Sequence, residues 1–267
     1  MNAPPLPPRP QGFHRPLWQP AVQTSWNYVL HHKVHLDHTV EQHEVWIIDL
    51  FDNTAAEVEA LHQRGRKVIA YFSAGTYEDW RPDAGRFHKS DLGRKMDDWE
   101  GERWLQTNSP SVRQVMQSRM DLAALKGFDG VDPDNVDAWD NKNGLGLSER
   151  DAVDYVLWLA GEAHARGLSI GLKNGGDIVP RVVHQMQWCV NEQAVQYGDE
   201  EQFLPFIRQG KPVFNVEYPK GEDPDSNKHN DKKEVTGKKR DKCMRGKQHG
   251  FSTIIKNIRL DQWIQTS

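Results

Sequence analysis

Cysteine is nearly absent from this chain: Cys189 and Cys243 are the only two in 267 residues. That is too few for a disulfide scaffold, so the fold has to rest on a hydrophobic core. Two unpaired thiols are expected in preference to a single bridge. No apolar run approaches the roughly 20 residues of a helical membrane span, which excludes one. Charge of one sign is also scarce, since 34 Lys and Arg stand against 38 Asp and Glu for a formal net charge of -4. Nothing in that balance calls for a nucleic-acid partner. The opening Met1–Pro10 is proline-rich and lacks an apolar h-region, so residues 1–17 read as an extended, disordered leader and localisation stays open. No Gly-rich turn follows the first apolar run at Leu30, which counts against an open dinucleotide-binding sheet.

What is present is a recurring pattern. Eight short apolar runs end in polar groups: 26–30, 45–50, 68–73, 127–135, 169–174, 187–192, 212–218 and 251–257. Between them lie stretches with helical spacing, at 54–64, 112–125, 148–166 and 199–209. Ser148 ahead of Glu149 and Asp151 has the chemistry of an N-cap, and Gly167 after Arg166 that of a helix end. Eight strands alternating with helices over this length predict a single-domain (β/α)8 TIM barrel over 18–267, with a long charged loop at about 220–249. The hydrophobic content of 37% can fill such a core, and ten Trp exceed the needs of packing alone.

The strand ends of a barrel gather on one face, so residues far apart in sequence converge there. The candidates are Asp49, Tyr71, Ser73, Asp132, Asp134, Asn135, Lys173, Asn174, Glu192, Glu217 and Tyr218. In Gly127-Phe-Asp-Gly-Val-Asp-Pro-Asp-Asn-Val-Asp137, alternation puts Asp132 and Asp134 on the same face, a like-charge pair that folds tolerate mainly at sites. Asp134 and Glu192 form a carboxylate pair across the barrel mouth, which is the equipment of glycoside hydrolysis. Asp134, beside Asn135 and in reach of Lys173, should stay ionised and suits a nucleophile. Glu192, after Trp188, Cys189 and Val190, is expected in less polar surroundings that raise its pKa, as an acid/base requires. Asp132 is expected to support substrate or its neighbour, and Asp137 to shape the loop. Tyr71, Tyr77, Trp80, Trp139 and Tyr218 could stack on sugars or hold cations by their ring faces.

Five motifs carry a resemblance. Tyr71-Phe-Ser-Ala-Gly75 with Glu78-Asp-Trp-Arg-Pro82, the acidic run ending at Asp137, Gly171-Leu-Lys-Asn174, Val190-Asn-Glu192 and Val216-Glu-Tyr218 together resemble glycoside hydrolase family 114, over roughly 18–263. The resemblance implies a (β/α)8 endo-α-1,4-polygalactosaminidase with Asp134 and Glu192 as the catalytic pair and retention of configuration. It also implies a cationic galactosamine polysaccharide as partner, action outside the cell, and no cofactor or metal. Asp49, Tyr71, Ser73, Trp80, Asp132, Asn135, Lys173, Asn174, Glu217 and Tyr218 are then the expected substrate contacts of a monomer. A mouth lined by Asp49, Asp132, Asp134, Glu192 and Glu217 would attract such a polymer, whereas the basic 220–247 segment would repel it if folded over the cleft.

Two rival readings use the same residues. Asp132, Asp134 and Asp137 could hold Mg²⁺ or Ca²⁺ in a phosphodiesterase barrel, although no catalytic histidines stand at the other strand ends. A carbohydrate-binding barrel without catalysis is the other, and the presence of both Asp134 and Glu192 argues against it. The histidines at 31, 32, 35, 38 and 43 read as an exposed connector rather than a metal site.

Overall fold

Alternation along the strands sorts side chains into two clusters. A computed structural model describes residues 16–97 and 99–267; most of the expected leader, 1–15, lies outside them. The strands in chain order are β1 (Trp26–Val29), β2 (Val45–Asp49), β3 (Lys67–Ser73), β4 (Thr76–Glu78), β5 (Leu92–Lys95), β6 (Glu102–Leu105), β7 (Gly130–Asp134), β8 (Ser169–Lys173), β9 (Trp188–Glu192), β10 (Val213–Glu217) and β11 (Ser252–Ile255). Eight of them pair in parallel in the order β1-β2-β3-β7-β8-β9-β10-β11, the nearly closed cylinder of a TIM barrel. Trp26 spans the seam between first and last strand, its indole N–H donating to Ser252 O at 2.7 Å.

Trp26, Tyr28, Val45, Ile47, Ile69, Trp188, Val190, Phe214, Val216 and Ile254 fill the barrel interior. The intervening residues, among them Trp46, Ile48, Phe72, Val131, Ile170 and Leu172, pack against the helices. Gly171 is required on the inner face of β8: a Cβ there would lie 2.0 Å from Trp188 Nε1, so its bareness admits the indole into the barrel interior.

The helices are α1 (Ala55–Gln63), α2 (Pro110–Lys126), α3 (Glu149–His164), α4 (Val179–Val182), α5 (Ala194–Tyr197), α6 (Glu200–Arg208) and α7 (Gly237–Cys243). Thr54 and Ser148 close capping boxes with Glu57 and Asp151. The run expected as one strand from Gly127 begins only at Gly130, because Gly127 at φ 87° ends α2 in the left-handed region.

Two departures bear on function. Between β3 and α2 the chain builds a three-stranded antiparallel sheet, β4-β6-β5, which spacing did not reveal because its strands are three and four residues long. Arg119 of α2 anchors its connection to the barrel, donating to both oxygens of Asp83 at 2.9 and 2.8 Å and to Ser73 O at 2.7 Å. The 220–249 segment, expected as a solvated loop, carries α7 and a following 3-10 turn. Val235 and Cys243 there pack on Ile255, and Gln265 exchanges two hydrogen bonds with Val235. Both cysteines are free and buried.

Candidate active site

The ends of β7, β8 and β9 turn off the barrel by one shared device. The residue after each strand, Asn135, Asn174 and Gln193, adopts a left-handed backbone at φ 58°, 52° and 60°. Asparagine tolerates this region and glutamine less so, a local strain of about 1 kcal/mol each that persists where surroundings demand it. The kink leaves Asp134, Lys173 and Glu192 facing inward and turns the next side chain sideways. Asn174 accepts from Glu192 N–H at 2.9 Å and donates to Glu192 Oε2 at 3.1 Å. Asn135 donates to Ser73 Oγ at 2.9 Å and Thr76 Oγ1 at 3.2 Å. Gly75 is required beside it, since a Cβ would lie 1.6 Å from Asn135 O.

Lys173 stands between the two carboxylates. Its Nζ donates to Asp134 Oδ1 at 3.0 Å and Glu192 Oε2 at 2.8 Å, so these two oxygens are no more than about 6 Å apart. Tyr71 donates to Asp134 Oδ2 at 2.7 Å and Tyr218 to Glu192 Oε1 at 2.6 Å. Burial raises both phenols, and the carboxylates Asp134 and Glu192 reinforce it, so they remain donors. Burial disfavours the Lys173 ammonium, but the charges of Asp134 and Glu192 overcome it and hold the lysine protonated.

The raised pKa expected for Glu192 is not what the surroundings produce. Burial pushes its carboxyl up, but the Lys173 charge and the hydrogen bonds from Lys173, Tyr218 and Asn174 outweigh that and hold it below the ordinary glutamate range. The apolar residues Cys189 and Val190 precede Glu192 in sequence, yet the polar neighbours come from adjacent strands.

The pair opens into a cleft of about 500 Å³. Of the expected contacts, Asp49, Tyr71, Trp80, Asn135, Lys173 and Asn174 line it together with Asp134 and Glu192. Ser73, Asp132, Glu217 and Tyr218 do not. Ser73 is buried in the Asn135–Thr76 network. Asp132 lies one layer below, fully buried, 3.4 Å from the Tyr28 hydroxyl; burial, then the charges of Asp134 and Glu192 against that of Lys173, push it up to about 7. Glu217 faces outward because Val216 and Tyr218 face in, and it accepts from Val195 N–H at 3.0 Å and Asn215 Nδ2 at 3.1 Å. Asp49 borders the cleft but is committed, with Arg81 donating to both its oxygens at 3.1 and 2.7 Å.

Other acids take their place on the cleft wall: Asp52, Glu102, Asp137 and Asp225. Asp137, expected only to shape its loop, is pushed up to about 6 by burial and by Asp134. Trp99 joins Trp80 at the rim. The signal for Glu102 and Trp99 was confined to the small sheet that periodicity did not reveal. No residue from 232–247 lines the cleft. Among the described residues no three His, Cys, Asp or Glu converge as a metal-ligand set, and the rings of His32 and His35 simply lie 4.7 Å apart.

Residues 9–267 match the family described as glycoside-hydrolase family GH114. The chain belongs to that family. A GH114 chain with this site is also similar to solved structures. Aspergillus fumigatus Ega3, in complex with galactosamine, is 48% identical with a TM-score of 0.89, over 94% of this chain and 97% of that one. The glycoside hydrolase domain of PelA from Pseudomonas aeruginosa is 15% identical with a TM-score of 0.67, over 90% and 98%, and shares the fold. An uncharacterized protein of Deinococcus radiodurans is 26% identical over 200 residues, 66% of this GH114 chain and 65% of that relative. The chain thus spans about two thirds of that relative's length.

Proposed function

We propose that this protein is an endo-acting, retaining hydrolase of α-1,4-linked galactosamine polymers, with Asp134 as nucleophile and Glu192 as acid/base. The observation that carries the reading is the lysine-bridged pair, whose nearest oxygens are held within about 6 Å of each other. In the first step a carboxylate oxygen of Asp134 bonds to the anomeric carbon while the glycosidic C–O bond breaks and Glu192 passes its proton to the leaving oxygen. In the second, Glu192 takes a proton from water, whose oxygen displaces Asp134 from the same carbon. Two inversions restore the starting configuration.

Three further features support the substrate class. De-N-acetylated galactosamine carries an ammonium, and Asp52, Glu102, Asp137 and Asp225 give the cleft wall negative charge. Walls from loops after different strands, with Trp80 and Trp99 on one and Pro224 and Arg259 on others, leave room for chain on both sides of the pair. Ega3, similar over nearly its whole length, was solved with galactosamine.

The test is hydrolysis of de-N-acetylated α-1,4-galactosaminan by wild type, Asp134→Asn and Glu192→Gln, followed by new reducing ends. Each substitution should lower kcat by at least about a thousandfold. Undiminished hydrolysis by both variants would remove the pair from the mechanism.

A further inference from the structure

We infer that Glu102, together with Trp80 and Trp99, forms a subsite that reads the free ammonium of an amino sugar. This deepens the function proposed above and rests on it.

The small sheet makes Glu102 anomalous. Antiparallel pairing of β4 with β6 places Glu78 directly opposite Glu102, and like charges facing each other across a ladder destabilise it. Glu78 has its compensation: Arg81 Nε lies 2.9 Å from one oxygen and Arg119 Nη1 3.6 Å from the other. Glu102 has none. Its Oε2 accepts from the Thr76 hydroxyl at 2.7 Å, and among the described residues Oε1 has no hydrogen-bond or ion-pair partner. Arg81 is already engaged with Glu78 and both oxygens of Asp49.

The residue is only 8% exposed, and its remaining exposure is toward the cleft it lines. A buried carboxylate without a cation is unfavourable. Burial, with Glu78 and Asp134 adding to it and Thr76 and Arg81 opposing, pushes it up to about 7. Thr76 could be satisfied by an amide as well as by an acid, so the internal hydrogen bond does not explain a glutamate. An incoming cation does, because it meets one open oxygen in a site of low dielectric.

The rings beside it specify what kind of cation. Trp80 and Trp99 are 54% and 42% exposed, the only tryptophans that far open among the described residues. The bare backbone of Gly101 lies under Trp80, where a Cβ would come within 3.0 Å of Cζ3. Trp80 thus packs on the residue before Glu102 from across the sheet, and Trp99 lies in the turn leading into Glu102, its carbonyl accepting from Glu102 N–H at 3.2 Å. An indole face takes the C–H face of a sugar and the carboxylate takes the amine beside it. An N-acetyl group would offer Glu102 no charge.

The inference is tested with α-1,4-linked galactosamine oligomers of one length, fully de-N-acetylated or fully N-acetylated. Binding is read by tryptophan fluorescence and hydrolysis by initial rates. Glu102→Gln keeps the acceptor for Thr76 and removes the charge. It should raise Kd and KM about tenfold or more for the amine form, leave kcat within about twofold, and leave Kd for the acetylated form unchanged. Trp80→Ala combined with Trp99→Ala should weaken both forms by a similar factor. Equal weakening of both oligomers by Glu102→Gln, or of neither, overturns the inference. A wild type that binds but cuts neither oligomer overturns the hydrolase reading instead, and the binding comparison still decides Glu102. Thermal unfolding of Glu102→Gln at pH 8 that is no lower than that of wild type, as removal of a buried charge requires, separates recognition from misfolding.

Discussion

Lys173 decides the protonation state of Glu192, and its effect can be measured apart from binding. In the free protein it holds Glu192 below the ordinary glutamate range despite burial. The group that has to donate a proton therefore loses it at low pH, and kcat/KM should fall as pH rises through the acidic range. Lys173→Met removes the ammonium, so the Glu192 carboxyl should rise and this limb of the profile should move up by about one pH unit or more. A limb that stays in place would show that Lys173 does not set it. Asp132 gives a second test at this scale. Its folded pKa, about 7 against 3.8, is raised by burial first. Its contribution to stability is therefore full below about pH 4 and lost as pH rises through about 7. Asp132→Asn should match wild type in stability near pH 4 and exceed it by on the order of 3 kcal/mol at pH 8, read by denaturant unfolding at each pH.

At the scale of elements, the barrel was legible because β7, β8 and β9 are apolar runs that each end on an inward-facing polar group. The same period of two contains the correction for Glu217: with Val216 and Tyr218 turned inward, the residue between them has to face out. Glu102 was not legible. Its environment is made by pairing with Glu78, 24 positions away, in strands too short to show a period. The kinks at Asn135, Asn174 and Gln193 were hidden as well, since asparagine after a strand end reads equally as a ligand contact or a turn. Gly171 tests how the barrel interior is packed. The methyl of an alanine there would fall 2.0 Å from Trp188 Nε1. Gly171→Ala should therefore cost at least about 2 kcal/mol and lower Tm by roughly 5 °C or more in a thermal melt.

At the scale of the molecule, the most basic stretch of the chain is kept off the cleft. Residues 232–247 hold eight basic and two acidic side chains, and none of them borders the cleft. The first part of the same excursion, through Pro224 and Asp225, does border it. The basic stretch thus leaves the acidic wall intact, which answers the repulsion expected if it covered the mouth. Rising ionic strength should screen the attraction, raising KM for a cationic polymer several-fold between low salt and about 0.15 M while kcat changes little. A KM indifferent to salt would mean that the wall charges do not guide the chain.

Mass analysis of the products that wild type releases from fully de-N-acetylated and fully N-acetylated α-1,4-galactosaminan bears most directly on the central claim. The account predicts a ladder of de-N-acetylated oligomers from the first polymer and far less from the second. Inertness toward both, by a folded protein, would contradict it.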